Sequence, residues 1–198
     1  MITTGGPANV TKTFILVNFR RMAREISAGG VVVQPTAQGW QMAVIEPQKE
    51  ETAKAATKTG RKKWQKMLLA LPKGLVDRDE KPDQTALREV FEETGVKAAV
   101  ITKLGDIKYV YVRSWGNRER VFKIVSFYLL RYESGLIDEI SPDMRVEVKR
   151  ALWISLDEAV QKLAYRGERD MVRRAQEHLS AHPELRGAKP IPREDPSR

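Results

Sequence analysis

The feature that most constrains the fold of this 198-residue chain is a strong helix pattern between residues 82 and 95. Pro82 and Asp83 suit the first turn of a helix, because proline needs no amide partner there and aspartate complements the positive end of the helix dipole. Gly95 suits the position that follows the last turn. Between these ends, apolar side chains recur on one side, which predicts a stripe that packs on a core. The stripe consists of Leu87, Val90 and Phe91.

Three glutamates occupy the other side of the same predicted helix. At about 100° per residue, Glu89, Glu92 and Glu93 project from one face, with Arg88 beside them. The simplest interpretation is a solvated acidic face. However, Glu89 and Glu93 form a like-charge pair one turn apart, which costs about a few tenths of a kcal/mol in an isolated helix. The chain as a whole is basic, with 35 Lys and Arg against 26 Asp and Glu, so a cation that offsets the clustered carboxylates is the second interpretation.

The composition restricts which cation and which chemistry this cluster can serve. The sequence has no cysteine, which excludes disulfides, thiolate zinc sites and cysteine nucleophiles. Its two histidines, His178 and His182, lie near the C-terminus and argue against an imidazole triad or a multi-histidine metal site. With oxygen ligands alone, the expected ion is Mg²⁺, or Mn²⁺ as its substitute. The segment Leu71-Pro72-Lys73-Gly74 before the helix adds a backbone bend where a carbonyl could face that ion.

The residues from Gly74 to Val96 resemble the complete Nudix box. Five residues separate Gly74 from Glu80, and seven more separate Glu80 from Arg88. The sequence then reads Arg88-Glu89-Val90-Phe91-Glu92-Glu93-Thr94-Gly95-Val96. This fills every fixed position of Gly-x5-Glu-x7-Arg-Glu-U-x-Glu-Glu-x-Gly-U, where U is an aliphatic residue. The sequence is therefore identified as a member of the Nudix family.

The resemblance implies an α/β protein with the Nudix fold, an α/β/α sandwich around a mixed β-sheet. It also implies a Mg²⁺-dependent pyrophosphohydrolase that cuts a diphosphate linked to another moiety. Arg88 would pair with Glu80 and hold the helix face in register. The implied metal ligands are Glu89, Glu92, Glu93 and the carbonyl oxygen of Lys73.

The resemblance leaves open which residue takes the proton from the attacking water. Glu89 is one candidate. Glu147, which precedes a predicted strand, matches a position where some Nudix enzymes place an extra catalytic or metal-binding glutamate. An exposed carboxylate at a strand edge explains Glu147 equally well. Together with Glu93, Arg88 and Glu80, these residues make up the predicted catalytic set.

The rest of the sequence predicts a Nudix domain over residues 25–181, between an N-terminal arm at 1–24 and a Pro-rich disordered tail at 182–198. Residues 47–66 lose apolar periodicity and are rich in lysine and arginine, which predicts a basic inserted loop. Helices are expected at Leu156–Tyr165 and Glu168–His178. Runs of β-branched and aromatic residues predict strands at 31–33, 41–45, 67–71, 107–112, 121–132 and 151–154, with turns at Gly39 and 113–120.

Two tyrosines indicate where a substrate could bind. Tyr111 lies fifteen residues beyond the box, near the position of a tyrosine in some Nudix enzymes that cleave dinucleoside polyphosphates. Tyr109 shares its strand face, although either ring could instead belong to the core. The stretch from Trp153 to Tyr165 resembles bacterial relatives that act on dinucleoside polyphosphates or oxidised nucleoside triphosphates. We therefore expect a substrate from one of these two classes, bound with the help of Lys73.

The basic loop leaves other anionic ligands open. Arg61, Lys62 and Lys63 form either a solvated surface or a region that attracts a polyphosphate chain through long-range charge. In the second case, a diphosphoinositol polyphosphate or an RNA 5′ end becomes an alternative substrate. Trp64 could stack on a base, but one aromatic residue is weak evidence for nucleic-acid binding, and no common RNA-binding signature accompanies it. A Nudix-fold module that binds nucleotides without turnover is the remaining alternative.

The apolar run near the N-terminus, Phe14–Val17, is far too short to span a bilayer. Its charges follow the apolar stretch, unlike those of a secretory signal, so a cytoplasmic location is expected. The expected partner is a small anionic molecule that contains phosphate, rather than a membrane. Formation of a homodimer is a further possibility that the sequence leaves undecided.

Overall fold

The computed structural model describes residues 22–48, 68–113 and 118–187 of the chain. Within these ranges, six strands form one sheet, flanked by three α-helices and two short 3₁₀ helices. The strands are β1 (Ala23–Thr36), β2 (Gly39–Pro47), β3 (Lys73–Leu75), β4 (Val96–Val112), β5 (Arg120–Gly135) and β6 (Val148–Ser155). The helices are α1 (Pro82–Thr94), α2 (Leu156–Lys162) and α3 (Arg166–Ala181), and the 3₁₀ helices are Pro142–Val146 and Pro183–Arg186.

The sheet is mixed and has β1 at its centre. The strand order is β4-β5-β1-β2-β6, and β3 also pairs with β1. β1 and β5 run parallel, from the pair Ala23 and Val121 to the pair Val33 and Arg131, whereas the other pairings are antiparallel. β3 pairs with residues 27–29 of β1. This pairing places the segment that precedes α1 against the middle of the sheet.

Helices cover both faces of the sheet. Val31, Val32 and Val33 of β1 are fully buried, as expected for a central strand with both faces covered. On one face, Val32 packs with Val90 of α1. On the other face, Val31 and Val33 belong to a larger cluster that includes Met171 of α3. This arrangement is the predicted α/β/α sandwich around a mixed β-sheet.

The predicted strands have the right positions, but several differ in length. β1 and β2 pair across the predicted turn, where Gly39 has a φ of 125° that favours glycine. β4 and β5 extend well beyond the predicted 107–112 and 121–132, because the two strands pair from the hairpin as far as Val96. The predicted loop before the helix instead contains the short strand β3.

The segment predicted as a strand at 67–71 is described from Leu68 onward and forms only isolated bridges. Leu69 pairs with Leu163, and Ala70 pairs with Ile45. The prediction of a regular strand is therefore wrong for this part, although Leu69 and Ala70 are buried as expected.

The C-terminal helices also differ from the predicted bounds. α2 ends at Lys162 rather than Tyr165, because Leu163 is extended and the Ala164 amide donates to the Leu69 carbonyl at 2.9 Å. α3 is longer than predicted at both ends. The 3₁₀ helix Pro183–Arg186 lies in the predicted tail, so the prediction of disorder is wrong for those residues.

Several predictions concern residues outside the described ranges. These are the arm up to residue 21, most of the basic loop, the tip of the β4–β5 turn and the tail from residue 188. The division into arm, domain and tail stays a prediction. In the three described ranges, we find no helix with the length and apolar character needed to cross a bilayer.

Candidate active site

The helix α1 begins and ends where the sequence indicates. The Lys81 amide donates to Gln84 Oε1 at 3.0 Å, which pairs one amide at the start of the helix. Gly95 ends α1 in the left-handed conformation, with φ 81°, and its amide donates to the Phe91 carbonyl at 2.8 Å. A side chain at this position would also meet the Leu136 carbonyl at 2.5 Å, so glycine fits for two reasons.

Two of the three glutamates on the acidic face of α1 are buried and Glu92 is partly exposed, which corrects the interpretation of a solvated surface. Glu89 is 6% exposed and Glu93 is 4% exposed, close to the core residue Val90. Phe91, predicted to lie in the core stripe, is instead 42% exposed. The helix is rotated so that its buried face includes two glutamates as well as apolar residues, which periodicity alone does not predict. Lys97 covers the exposed Phe91 ring at 5.4 Å from its centroid.

Gly74 of β3 makes room for the carboxylate of Glu89. A Cβ at position 74 would lie 2.0 Å from the carboxylate carbon and from Oε1 of Glu89. No side chain can occupy that volume while Glu89 keeps its position. Glycine at this position therefore allows the Glu89 carboxylate to keep its buried place.

Arg88 connects the loop before α1 with the acidic face. Its Nε and Nη2 donate to Glu80 Oε1 at 3.0 Å and Oε2 at 2.8 Å, which is the predicted pair in a two-point geometry. Its Nη1 donates to Glu89 Oε1 at 2.7 Å and to Glu92 Oε2 at 3.0 Å. The hydrogen bond from Arg88 lowers the pKa of Glu80, and the hydrogen bonds to Glu80 and Glu89 raise the pKa of Arg88.

Glu93 lies between α1 and the backbone of β3. Its Oε2 accepts a hydrogen bond from the Lys73 amide at 2.9 Å. Burial raises the pKa of Glu93 to about 8, and the charges of Glu89 and Glu147 act in the same direction, while the charge of Lys73 opposes them. Burial also raises the pKa of Glu89, against the effect of Arg88. Burial and mutual repulsion therefore oppose the ionised form of both carboxylates, although Arg88 and Lys73 offset part of this cost.

Glu147 completes this group from another element. It directly follows the 3₁₀ helix Pro142–Val146, and its side chain is exposed, as the simpler interpretation expected. Its charge contributes to the raised pKa values of Glu89 and Glu93, and the Ser141 amide before the same 3₁₀ helix donates to the Glu92 carbonyl at 3.0 Å, which places this helix against α1. The fold thus brings Glu147 to the carboxylates of α1 from a distant point of the sequence.

The oxygen atoms of these carboxylates are of the type that binds a divalent cation, but the described side chains are not arranged as a set of metal ligands. Within residues 22–48, 68–113 and 118–187, no three acidic or imidazole side chains are arranged as a metal-ligand group. Arg88 instead donates to two of the predicted ligands, Glu89 and Glu92. The donors are all hard carboxylate oxygens, of the type that Mg²⁺ and Mn²⁺ prefer. A cation bound here would compete with Arg88 for these oxygens.

A groove of about 840 Å³ adjoins the acidic face on the other side of Lys73. Its apolar surface is formed by Ile107 and Val112, with the buried side chains of Val125 and Phe127 behind them. Tyr109 and Tyr111 both line it, which confirms that they share one strand face, with ring centroids 6.3 Å apart. The other polar and charged residues that line it are Lys73, Lys123, Tyr165, Arg166 and Glu168.

The two tyrosines differ in their availability to a ligand. Tyr109 is 41% exposed. The hydroxyl of Tyr111 donates to Glu25 Oε2 at 2.9 Å, and Arg113 donates to the other oxygen of Glu25 at 2.9 Å. The Tyr111 hydroxyl is thus already engaged, whereas the Tyr109 ring is open to the groove.

Sequence reasoning missed Glu168, Tyr165, Arg166 and Lys123. A signal for Glu168 was present, because it occupies the buried stripe of α3. The buried residues of α3 are Glu168, Met171, Val172, Ala175 and Leu179, at helical spacing. Arg61, Lys62 and Lys63, which were predicted to bind substrate, lie outside the described residues.

Comparison with known proteins identifies the family. The model of the NUDIX domain matches residues 34–175. The chain is 34% identical over 157 residues to "Putative mutator protein MutT4" of Mycobacterium tuberculosis, covering 79% of this chain and 56% of that protein. It is 30% identical over 105 residues to the 8-oxo-(d)GTP phosphatase of Mycolicibacterium smegmatis, covering 53% of this chain and 29% of that protein. The chain thus spans about half or less of the length of these relatives.

A solved structure with a similar fold is the NUDIX domain of Shewanella oneidensis NrtR, complexed with ADP ribose. It is 19% identical, with a TM-score of 0.54, and the match covers 79% of this chain and 89% of that one. At this identity, the likeness concerns the fold alone and supports the α/β/α assignment. With a family match over most of its length and every position of the box filled, this chain belongs to the NUDIX domain family.

Proposed function

We propose that this chain is a pyrophosphohydrolase that cleaves a phosphoanhydride bond in a nucleoside diphosphate derivative. The observation that carries the proposal is the position of Lys73. Its amide binds Glu93 in the acidic group, and the same residue lines the aromatic, cationic groove. A nucleotide could therefore place its nucleoside in the groove and its phosphates beside the carboxylates.

Nudix hydrolases generally use divalent metal ions, and the donor chemistry of this site suits one. Glu89, Glu92, Glu93 and the Lys73 carbonyl would hold the ion, which is expected to be Mg²⁺ or Mn²⁺. When bound, such an ion neutralises charge on phosphate oxygens and makes a coordinated water more acidic.

The protein side chains have separable roles in this proposal. Arg88 holds Glu80 and the acidic face in register through five hydrogen bonds to three glutamates. Lys73, Lys123 and Arg166 offer positive charge to the phosphates from the groove. Glu89 and Glu147 are the two candidates for the base that accepts a proton from water, since both lie in the carboxylate group.

For the substrate, we infer a nucleoside triphosphate, including oxidised forms, or a dinucleoside polyphosphate. The size of the groove and its open tyrosine suit a nucleobase. The name of the Mycolicibacterium smegmatis relative points to an oxidised guanine nucleotide. The tyrosine position beyond the box favours the dinucleotide class instead.

The test is release of phosphate or pyrophosphate from a panel of nucleotides in the presence of Mg²⁺. Glu93→Gln keeps the shape of the side chain but removes its charge, so kcat should fall by about two orders of magnitude or more, with little change in KM. Glu177→Gln, an exposed position on α3, is the matched control and should keep the wild-type rate. If Glu89 is the base, Glu147→Gln should lower kcat much less than Glu89→Gln does. An equal loss in both would assign that role to Glu147.

One observation favours a second candidate, a module that binds nucleotides without turnover. Arg88 already pairs with two of the predicted metal ligands, and no three-ligand group stands ready among the described residues. Nucleotide binding with no hydrolysis across the panel, with either Mg²⁺ or Mn²⁺, would establish this candidate and reject the hydrolase.

A further inference from the structure

Glu168 is a buried carboxylate that the proposed hydrolysis does not use. It lies in the first turn of α3 and is 3% exposed, yet it lines the groove. Its Oε2 accepts a hydrogen bond from the Leu71 amide at 3.1 Å. Among the hydrogen bonds of the described residues, this is the only one to the Glu168 carboxylate. The second oxygen, Oε1, is therefore an acceptor that a bound ligand can use.

The surroundings of Glu168 are those of a site for a flat ring. Tyr109 and Tyr165 line the groove and are 41% and 59% exposed, so their rings are available for stacking. Ile107 supplies apolar surface beside them. The groove thus combines stacking surface with one fixed, buried acceptor, which is an arrangement that gives both affinity and orientation.

We propose that this groove binds the nucleobase and that Glu168 selects a base with adjacent N–H donors, the Watson–Crick edge of a 2-amino-6-oxopurine such as guanine. The inference rests on the proposed function and names the base of its substrate. An ionised carboxylate only accepts hydrogen bonds, and guanine presents N1–H and the 2-amino group side by side. Oε1 would accept one of these donors, and the second lone pair of Oε2, beside its contact with Leu71, would accept the other. Adenine presents an acceptor, N1, beside its amino group, so one of its polar atoms would face the carboxylate unpaired.

The Leu71 contact predicts what a change of Glu168 does. Since the Leu71 amide is buried and needs an acceptor, the Glu168→Gln side chain should keep its oxygen on Leu71 and turn its NH₂ group toward the groove. The variant then presents a donor where the wild type presents an acceptor. A donor opposes guanine N1–H but suits adenine N1, so the preference between the two bases should shift, rather than both activities falling together.

The experiment compares kcat/KM of the full chain for GTP, ITP and ATP with Mg²⁺, at about pH 8.5. This pH keeps Glu168 ionised, since burial raises its pKa to about 7. Wild type should prefer GTP over ATP by about 10- to 100-fold, with ITP, which lacks the 2-amino group, between them. Glu168→Gln should lower the ratio of GTP to ATP by at least about 10-fold. Glu177→Gln is the control on the same helix, and melting temperatures verify that both variants fold.

Binding of GMP, IMP and AMP to the wild type, measured by calorimetry, separates the two proposals. A preference for GMP without any turnover would retain the base site and reject the hydrolase. Turnover with equal kcat/KM for GTP and ATP would retain the hydrolase and overturn the role of Glu168. If Glu168→Gln lowers kcat/KM by the same factor for all three nucleotides, the proposed role in base selection is also overturned, because that result indicates a structural role. If this variant does not fold, the ratio of the wild-type affinities for GMP and AMP decides: a preference for GMP supports the base site, and equal affinities overturn it.

Discussion

Gly74→Ala tests the packing of the acidic face with the smallest possible change. The added Cβ would lie 2.0 Å from the carboxylate carbon of Glu89, whereas ordinary contacts begin at 3.4 Å. The carboxylate must therefore move by about 1.4 Å, since it is the flexible end of its side chain and β3 is held by its pairing with β1.

The expected effect on activity is much larger than the effect on stability. A misplacement of about 1 Å in a catalytic group can cost about 100-fold in rate, so kcat/KM for the best nucleotide should fall by about two orders of magnitude. The move breaks the 2.7 Å hydrogen bond between Arg88 and Glu89, which is worth about 1.5–3 kcal/mol. Burial raises the pKa of Glu89, so moving its carboxylate toward water offsets part of that loss. The free energy of unfolding measured in urea should therefore fall by less than about 3 kcal/mol.

The matched control is Gly187→Ala, where a Cβ meets open space and the φ of −97° suits alanine. Its kcat/KM and stability should equal those of the wild type. A double-mutant cycle adds Glu89→Ala, which removes the carboxylate that the new Cβ would meet. In that background, Gly74→Ala should have little further effect on activity or stability. Wild-type activity of Gly74→Ala, or an equal additional loss in the Glu89→Ala background, would refute the reasoning.

Three further predictions concern the Arg88–Glu80 pair, the buried Glu168 and the metal. Arg88→Lys cannot make the two-point contact with Glu80, so stability should fall by about 1–3 kcal/mol in urea unfolding, and an unchanged stability would contradict this geometry. Burial raises the pKa of Glu168 to about 7, so the folded form binds a proton more tightly than the unfolded chain does, and wild-type stability should fall as pH rises from about 5 to about 7. Glu168→Gln should make this fall shallower without removing it, because Glu93, whose pKa is raised to about 8, contributes in the same range; an identical slope in both proteins would contradict the buried position. Mg²⁺ or Mn²⁺ at about 100 times its dissociation constant should stabilise the wild type by about 2.7 kcal/mol and should do so less in Glu93→Gln, while activity that persists in excess chelator would exclude the metal.

Local sequence spacing was enough to predict α1 and its ends, whereas the Arg88–Glu80 pair was implied by the resemblance to the Nudix family. A helix brings residues three or four positions apart onto one side, so the contact of Arg88 with Glu92 follows from spacing. Glu80 precedes the helix, and its contact with Arg88 depends on the path of the loop. The acidic cluster follows in the same way, and with it the expectation of a hard cation. The central strand was also predictable, because a short run of β-branched residues is typical of a strand buried on both faces.

Periodicity could not decide which side of α1 would be buried. The helix wheel separates Phe91 from Glu89, but the burial of Glu89 depends on the absence of a side chain at Gly74, a residue on another element. The raised pKa of Glu93 has the same origin, since burial against the sheet is its main cause.

The sequence by itself therefore determined the acidic helix, its capping and the family, because these depend on residues that are neighbours along one helix or fill one continuous motif. The tertiary structure alone decided that Glu147 joins the carboxylates and that Lys73 connects them to the groove. It also placed Glu168 against Leu71, 97 positions away in the chain. Such contacts depend on how the strands pair and on which faces the helices cover, and no local spacing encodes either of these.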